Sequence, residues 1–242
     1  MKKFSQNSTG SDPRETKGYD RPYVIAVASH KGGVGKTTIS AALSWTFGQK
    51  NRRVVAVDGE NQSGLTAICA KGDNDCFWKN VSLVRQLPPS MSRLSPRADL
   101  VLVDCPSIFD KEGQRIMELA DGILLCINLD ILMLRTLPRT LGVFHRLRER
   151  KPSTHILGIV VNQYQPRQIG LFQKINLVND QLIISPSIPL HASLRDWSLQ
   201  PGTALPLGPA VDAFDLLANN IFKRIENITE EAREELLVGG KV

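Results

Sequence analysis

The chain has 242 residues, of which 42% are hydrophobic and 22% are charged, and it carries a formal net charge of +6 with a sequence pI near 9.3. This length and composition are ordinary for one soluble α/β domain with a single core. They argue against a membrane-spanning or secreted protein, because no apolar run approaches the roughly 18 residues of a span and the polar N-terminus lacks the apolar part of a signal peptide.

The chain divides into three parts. Residues 1–21 are polar and rich in Ser, Gly and charge, which predicts a disordered tail. Residues 22–228 contain the apolar segments of a folded domain, and the last of these has apolar side chains at helical spacing, which predicts a helix with one buried face. Residues 229–242 predict an acidic C-terminal tail.

Short apolar runs rich in Val, Ile and Leu recur along the domain. Six of them predict strands buried on both faces, at residues 23–29, 54–58, 100–104, 123–129, 156–162 and 182–188. Helical segments follow the first, third and fourth runs, and Pro138 is expected to bend or break the last of these helices. The alternation predicts an α/β fold with a doubly wound, mostly parallel sheet flanked by helices. Residues 63–97 give the weakest pattern.

The stretch KGGVGKTT lies directly between the first strand and the first helix. This is the context of a phosphate-binding loop, in which glycines let backbone N–H groups face phosphate oxygens at a helix N-terminus. Lys36 is expected to reach the β- and γ-phosphates, Thr37 to hold Mg²⁺ and Thr38 to lie near the α-phosphate. A glycine turn that only begins a helix is the alternative. The expected binding residues of the loop are Lys31, Gly32, Gly33, Val34, Gly35, Lys36, Thr37 and Thr38.

Two aspartates end predicted strands. Asp58 follows VVAV, and Asp104 follows LVLV. Because open α/β sheets bind ligands at the carboxyl ends of their strands, both carboxylates are expected to lie beside the loop and to hold Mg²⁺ together with Thr37. Taken alone, each aspartate could equally cap a turn.

His30 stands where the plain G-x-x-x-x-G-K-[ST] pattern has its first glycine, and the stretch instead follows K-G-G-x-G-K-[ST]-T. This resembles the deviant Walker A motif of the ParA/MinD family of ATPases. The resemblance implies a P-loop NTPase fold, binding of ATP with Mg²⁺ and a homodimer in the ATP state. It also implies that Lys31 reaches the partner's nucleotide in the manner of an arginine finger. The alternative for Lys31 is a solvated surface lysine.

The stretch VDGENQ resembles the second acidic motif of that family, usually Asp-x-Asp-Pro-Gln. Glu60 occupies the place of the residue that in the family orients or activates the attacking water. Glutamate keeps the charge but adds a methylene, so hydrolysis is expected to survive and to be slow. Glu60, Lys31 and Lys36 are therefore the expected catalytic residues. A nucleotide-binding scaffold with little turnover is the alternative.

Two further positions are expected to contact adenine by the same resemblance. Asn162 ends the strand GIVVN, where the family has an asparagine at the adenine edge. Pro189 lies in PSIPLHASLRDW, where the family backbone packs beside the base. A strand-end asparagine is also a common turn residue.

The resemblance leaves two surfaces on which an ATP-driven dimer could act. ParA-type relatives bind DNA non-specifically through C-terminal basic residues, and the candidates are Arg195, Lys223 and Arg224, each of which could instead lie on a solvated helix face. MinD-like relatives end in a basic helix that lies on lipid. Here the last segment carries glutamates that an anionic membrane would repel, so no membrane contact is expected. These are Glu226, Glu230, Glu231, Glu234 and Glu235.

The expectation is a ParA-like, Mg²⁺-dependent ATPase that dimerises on ATP, binds DNA and hydrolyses ATP to position or segregate a cargo. The cargo is a plasmid or chromosome locus, or a protein microcompartment, and a ParB-like or other adaptor protein is the expected partner. The four cysteines show no metal-ligand spacing, which favours a reducing cytoplasm. The expected location is cytoplasmic and nucleoid-associated, and a MinD-like membrane-associated ATPase is the alternative.

Overall fold

The computed structural model describes residues 21–60, 62–71, 75–88, 94, 98–179, 182–197, 199–206 and 208–239. Apart from Arg21, the predicted N-terminal tail lies outside these residues, as do the last three residues of the predicted C-terminal tail. None of the helices within the described segments is long and apolar enough to cross a lipid bilayer.

Six strands form one sheet in which every neighbouring pair is parallel. The strands are β1 (Tyr23–Ser29), β2 (Val54–Asp58), β3 (Val81–Val84), β4 (Leu100–Ser107), β5 (Gly122–Asn128) and β6 (His155–Asn162). Their spatial order is β3-β2-β4-β1-β5-β6. The direction of winding therefore reverses at β1, which confirms the doubly wound α/β fold.

Helices cover both faces of the sheet, and each face has its own apolar core. The helices are α1 (Lys36–Gln49), α2 (Gly64–Cys69), α3 (Lys111–Leu119), α4 (Ile131–Arg150), α5 (Ile169–Asn179), α6 (Ala192–Trp197) and α7 (Pro209–Gly239). One core contains buried side chains of α1 and α7, and the other contains those of α3 and α4. Because both faces are covered, the strands are continuously apolar instead of alternating.

One strand was not predicted, and one strand prediction was wrong. The weakly patterned segment 63–97, for which no element was predicted, contains the strand β3 at the edge of the sheet beside β2. Residues 182–188 do not form a strand, although Ile183 bridges to Ile159 at the edge of β6. Pro186 lies within that run and has no backbone N–H to donate, which prevents a continuous ladder.

Of the two effects predicted for Pro138, a bend or a break, a break in α4 does not occur. The helix continues through it from Ile131 to Arg150. A proline in a helix removes one backbone hydrogen bond to the carbonyl four residues earlier, here that of Leu134. The helix persists because Leu137 and Phe144 anchor its inner face in the core while Pro138 is exposed.

The C-terminal helix α7 has the single buried face that its spacing predicts. Its fully or nearly fully buried side chains are Phe214, Leu217, Ala218, Ile221 and Ile225. This face packs against α1, where the rings of Phe47 and Phe222 meet edge to face with centroids 4.9 Å apart. The helix continues to Gly239, so it crosses the predicted boundary between residues 228 and 229.

Two neighbouring leucines of α7 provide a test of this packing. Leu217 is 0% exposed and Leu216 is 49% exposed. We expect Leu217→Ala to lower the free energy of unfolding by about 2–5 kcal/mol, because it removes buried methyl groups and leaves a cavity. Leu216→Ala should change it by less than about 0.5 kcal/mol. Urea denaturation followed by circular dichroism measures both, and equal losses would contradict the orientation of α7.

Candidate functional site

The loop between β1 and α1 curls tightly at the carboxyl edge of the sheet. Gly33 and Gly35 have φ angles of +75° and +86°, a left-handed conformation that favours glycine. A Cβ atom at Gly35 would lie 2.3 Å from the Asn162 side-chain nitrogen, so the position excludes any side chain. The first intrahelical bond of α1 begins here, because Ile39 N–H donates to the Gly35 carbonyl. The backbone thus has the form of an anion-binding loop at a helix N-terminus.

Asn162, the last residue of β6, supports this loop directly. Its side-chain amide is buried and donates a hydrogen bond of 2.8 Å to the Val34 carbonyl. Beside it lies a cavity of about 140 Å³ whose wall includes Asn162 and Pro189. The structure therefore brings together the two residues expected to contact a base, with part of the Asn162 amide engaged by the loop.

A second, larger cavity of about 460 Å³ lies over the loop. The residues that line it include Gly32, Gly33, Gly35, Lys36, Thr37, Glu60, Gln62, Pro106, Ser107 and Asp110. Loop glycines, a lysine and a threonine hydroxyl at one surface are the donors that phosphate groups need. Most of the sequence-predicted phosphate ligands therefore lie together on one wall.

Inside this cavity the Lys36 ammonium contacts a carboxylate. Its Nζ lies 2.9 Å from Glu60 Oε1, and the two side chains are only 7% and 23% exposed. A buried ammonium needs a counter-charge because desolvation disfavours it. A bound phosphate would compete with Glu60 for Lys36, and its arrival would leave the Glu60 carboxylate available for another partner.

Asp58 ends β2, as predicted, whereas Asp104 lies within β4, which continues to Ser107 beyond its predicted end. The two aspartates are at the same level, because they are directly paired in the β2–β4 register. Asp58 is 2% exposed and accepts hydrogen bonds from the backbone N–H of Thr66 at 2.7 Å and of Glu60 at 3.3 Å. These bonds compensate the buried charge and fix the carboxylate in place.

Asp104 is 0% exposed and only partly compensated. Its Oδ1 accepts from the Ser40 hydroxyl at 3.2 Å, whereas its Oδ2 has no hydrogen-bond partner among the described residues. Burial raises the pKa of Asp104 to about 7, and a hydrogen bond from Thr37 opposes that rise. An uncompensated buried carboxylate oxygen beside a threonine hydroxyl is a position that a cation would stabilise.

These oxygen donors fit Mg²⁺. Magnesium prefers hard oxygen ligands and is usually held by one or two carboxylates together with phosphate and water. Among the described residues, no cluster of three His, Cys, Asp or Glu side chains could hold a metal by itself. The site therefore suits a cation that binds together with a phosphate group. Thr37, Asp58 and Asp104 are the protein groups that would hold it.

Lys31 lies outside the residues that line the phosphate cavity. Its side chain is 27% exposed, and its Nζ lies 2.5 Å from Oδ2 of Asp130. The other oxygen of Asp130 accepts from Met133 N–H at 2.6 Å and so caps α4. Burial alone would raise the pKa of Asp130, but the hydrogen bonds from Lys31 and Met133 outweigh it and lower the pKa.

Asp130 was not among the sequence-predicted site residues. A signal for it exists, because Asp at the junction of an apolar strand and an amphipathic helix is a typical N-cap. Its second role, as a partner of Lys31, depends on β5 lying beside β1 in the sheet, which the sequence does not show. Next to Lys31, His30 is 8% exposed, and neither ring nitrogen has a hydrogen-bond partner among the described residues. Burial lowers the pKa of His30 and favours its neutral form.

The three candidate DNA-contacting residues are not in one place. Arg224 donates to the backbone carbonyls of Leu157 and Ile183 at 2.6 and 3.0 Å, near the start of β6. Arg195 lines the smaller cavity beside Asn162, at the end of that strand. Leu157 and Asn162 are five residues apart in β6, which corresponds to about 16 Å along the strand.

The local contacts of these cations also differ. Burial lowers the pKa of Arg224, and its guanidinium is engaged by the backbone, so this arginine stabilises the fold and is unsuited to DNA contact. Lys223 is exposed on α7. Arg195 is exposed and lies 3.6 Å from the carboxylate of Asp196.

Comparison with known proteins gives one family. The model of the CobQ/CobB/MinD/ParA nucleotide binding domain matches residues 25–200. An uncharacterised protein of Mycobacterium tuberculosis is 24% identical over 202 residues, which cover 66% of this chain and 64% of that one. The maintenance of carboxysome distribution protein A of Halothiobacillus neapolitanus is 28% identical over 221 residues, 84% of this chain and 97% of that protein. The chain thus spans less than two thirds of the mycobacterial relative.

Solved structures share the fold at low identity. MinD from Pyrococcus horikoshii, complexed with Mg-ADP, has a TM-score of 0.67 at 22% identity and covers 85% of this chain and 98% of its own. Apo McdA from Cyanothece has a TM-score of 0.71 at 19% identity, and the match covers 85% of this chain and 100% of the McdA chain. These likenesses agree with the six-stranded parallel sheet.

The raised pKa of Asp104 gives a prediction for stability against pH. The folded protein holds this proton up to about pH 7, whereas the unfolded chain releases it near about pH 4. The contribution of Asp104 to stability therefore falls as the pH rises from about 4 to about 7, and Asp104→Asn removes that loss. We expect the variant to exceed the unchanged protein by roughly 2–4 kcal/mol above about pH 7, and by much less near about pH 5.

Urea denaturation at several pH values measures this difference, in buffer with a chelator and without nucleotide. Asp110→Asn serves as the control, because Asp110 is exposed at the start of α3. Parallel stability curves for the unchanged protein and Asp104→Asn would show that Asp104 does not hold a proton in the folded state.

Proposed function

Since the chain belongs to the CobQ/CobB/MinD/ParA family of nucleotide binding domains, we propose that it is a ParA-type ATPase that pairs two copies of itself through bound ATP. In this proposal ATP binds with Mg²⁺, the dimer binds DNA without sequence preference, and slow hydrolysis separates the two copies. The cycle positions or segregates a cargo, and an adaptor protein of ParB type stimulates hydrolysis.

The observation that carries this proposal is the different placement of the two loop lysines. Lys36 is buried in the phosphate cavity, where it serves a nucleotide bound to its own subunit. Lys31 is outside the lining of that cavity, is 27% exposed and contacts Asp130. A partly exposed cation that its own phosphate cavity does not use is proposed to reach the phosphates of a second subunit, in the manner of an arginine finger.

Each part of the site has a proposed role toward ATP. The loop backbone and Lys36 hold the β- and γ-phosphates, and Thr38 lies near the α-phosphate. Thr37 and the carboxylates of Asp58 and Asp104 hold the Mg²⁺ ion, which when bound neutralises charge that develops on the phosphates. Asn162 and Pro189 lie in the wall of the smaller cavity, which is the proposed site for the base.

Glu60 is proposed to orient or activate the attacking water. In the described arrangement it neutralises Lys36, and phosphate binding to Lys36 releases its carboxylate. In this proposal the Glu60 carboxylate becomes available to water only when Lys36 has changed its partner from Glu60 to a phosphate of the nucleotide. Since glutamate is longer than aspartate, the water is less tightly positioned and turnover is slow without a stimulating partner.

DNA is the proposed surface for the dimer. The net charge of +6 favours a polyanion, and α4 and α7 present exposed cations, among them Arg135, Arg146 and Lys223. Four glutamates of α7 are exposed as well, and they would repel an anionic membrane if the end of this helix lay on it. These are Glu226, Glu230, Glu231 and Glu234. They would repel DNA too, so the DNA contact is proposed at the exposed cations and not at these glutamates. We therefore propose a cytoplasmic, nucleoid-associated protein and omit Arg224 from its DNA surface.

A protein microcompartment is the second proposed cargo besides a plasmid or chromosome locus. The relative from Halothiobacillus neapolitanus, which is 28% identical, is named for carboxysome distribution. Both cargoes use the same cycle on DNA, since pairing by ATP doubles a weak surface contact and raises its avidity. The adaptor decides between them.

Variants of the two loop lysines should separate ATP binding from formation of the dimer. With ATP and Mg²⁺, light scattering should show a shift from monomer to dimer. Lys36→Ala should abolish nucleotide binding, whereas Lys31→Ala should bind ATP and remain monomeric, because only the cation that acts across the interface is lost. Lys71→Ala is the control, since Lys71 is exposed beyond α2. A Lys31→Ala variant that dimerises as well as the control would contradict the proposed role.

A separate prediction concerns DNA. Gel retardation of arbitrary duplex DNA should require ATP and should weaken as salt rises, because phosphate contacts release counterions. Lys223→Gln should reduce the slope of log affinity against log salt by about one. Asn219→Gln, also exposed on α7, should leave the slope unchanged. Pelleting with anionic liposomes in the absence of DNA binding would support the MinD-like alternative instead.

A further inference from the structure

Two cysteines outside the candidate site are brought together where α2 ends. Cys69 is the last residue of α2, and the chain returns so that Ala70 and Cys76 form an antiparallel bridge. Two backbone bonds hold the return: Phe77 N–H donates to the Cys69 carbonyl at 3.1 Å, and Lys71 N–H donates to the Asp75 carbonyl at 3.0 Å. The bridge places Cys76 beside Cys69, although six residues separate them in the chain.

Both thiols are reduced, and both side chains belong to the same apolar core. The Cys69 thiol donates to the Leu65 carbonyl at 3.0 Å. The Cys76 sulfur accepts from the backbone N–H of Trp78 at 3.5 Å. The Cys76 sulfur therefore has a backbone donor, whereas the Cys69 proton is engaged by a carbonyl.

These contacts make the two thiols chemically unequal. The neighbouring Cys69 thiol lowers the pKa of Cys76, and the hydrogen bond from the backbone N–H of Trp78 acts in the same direction. The neighbouring Cys76 thiol and burial raise the pKa of Cys69. A thiolate is the nucleophilic form of cysteine, so Cys76 is the attacking group and Cys69 the neighbour that completes the reaction.

A small oxidant has access to Cys76. It lines a surface cavity of about 370 Å³, whose wall also includes Arg53, Asp75, Asn80 and Ser82. Cys76 is 7% exposed, whereas Cys69, Cys105 and Cys126 are 0% exposed, so the oxidant meets Cys76 first. Cys105 and Cys126 differ from Cys69 in that the bridge of Ala70 to Cys76 sets Cys69 next to the accessible thiol. Burial raises the pKa of both Cys105 and Cys126, so they remain protonated thiols. The chain therefore offers a reactive pair and an internal reference pair.

We propose that Cys69 and Cys76 are a redox modification site, at which a hydroperoxide converts the two neighbouring thiols into a reversible intramolecular disulfide. The site requires no nucleotide, metal or second subunit.

The reaction proceeds in two steps. The Cys76 thiolate attacks the terminal OH oxygen of the hydroperoxide, the O–O bond breaks, and Cys76 sulfenic acid and an alkoxide form. The alkoxide takes from solvent the proton that the thiol lost on ionisation and departs as an alcohol; with hydrogen peroxide the leaving hydroxide becomes water in the same way. The Cys69 sulfur then attacks the sulfenic sulfur, the S–S bond forms and the S–O bond breaks. The leaving hydroxide takes the Cys69 proton and departs as water. The two sulfurs together lose two electrons, and the hydroperoxide gains them.

The neighbourhood provides a spectroscopic reporter. Trp78 lies two residues from Cys76 and stacks on Trp197 with ring centroids 5.8 Å apart. Both indole N–H groups donate to the Thr203 carbonyl at 3.1 Å. The backbone N–H of Trp78, as distinct from its indole N–H, is bonded to the sulfur that reacts. Disulfide formation is therefore expected to change the fluorescence of the tryptophan pair.

The test uses the full chain and hydrogen peroxide. Titration of thiols under denaturing conditions should give four free thiols before treatment and two after it, and a thiol reductant should restore all four. Trypsin cleaves after Arg53, Lys71 and Lys79, so Cys69 and Cys76 fall in separate peptides. After alkylation and digestion without reductant, mass spectrometry should find these two peptides joined and lighter by two hydrogen atoms.

Two variants assign the roles. Cys69→Ser should stop at the sulfenic acid on Cys76, which a dimedone probe labels, and should form no cross-link. Cys76→Ser should give neither product and should keep the tryptophan fluorescence constant. Peptide cross-links between other cysteines, or equal loss of all four thiols, would overturn the proposal. The peptide map of the unchanged chain decides the question even where a variant does not fold.

Discussion

The central position of β1 is the constraint on which the rest of the structure depends. This strand is buried along its whole length and pairs in parallel with β4 on one side and β5 on the other. Parallel pairing brings the carboxyl ends of three strands to one edge, where the chain must turn into helices. The loop after β1 is therefore placed between Asp104, in the last half of β4, and Asp130, beyond the end of β5.

This placement gives each loop lysine its own carboxylate. Lys36 contacts Glu60, which follows β2, and Lys31 contacts Asp130, which follows β5. The two contacts differ in burial, since the Lys36 side chain is 7% exposed and that of Lys31 is 27% exposed. Desolvation makes the inner contact dependent on an anionic partner, whereas water can replace the outer one. The loop is thus neutralised on two sides before any phosphate arrives.

The strand pattern and the loop were largely predictable from the sequence, because both depend on local residue patterns. Five of the six predicted strands occur, and Lys36, Thr37, Asp58 and Asp104 lie at one edge of the sheet, as expected. The strand that was not predicted and the strand that was wrongly predicted lie at opposite edges of the sheet. At one edge β3 has only four residues. At the other edge the segment after α5 contacts β6 through an isolated bridge instead of a ladder. Short edge pairings depend on tertiary contacts that a pattern does not contain.

The remaining differences concern side chains whose partners are distant in sequence. A basic residue near the C-terminus gives no sign that its guanidinium will bond carbonyls around β6, as that of Arg224 does. In the same way, nothing local to Lys31 indicates Asp130, which lies 99 residues later. Sequence patterns identify which groups carry charge, whereas the sheet order decides which charges meet.

Gly35 is held by two independent restrictions, and this affects how the chain can change over evolutionary time. Its backbone angle disfavours every L-residue with a side chain, and the Asn162 nitrogen occupies the space of a Cβ atom. Shortening Asn162 would open that space but leave the backbone angle unchanged. No single substitution elsewhere in the chain would therefore make a side chain acceptable at position 35. Asn162 itself can be replaced, as far as the loop is concerned, if another donor reaches the Val34 carbonyl.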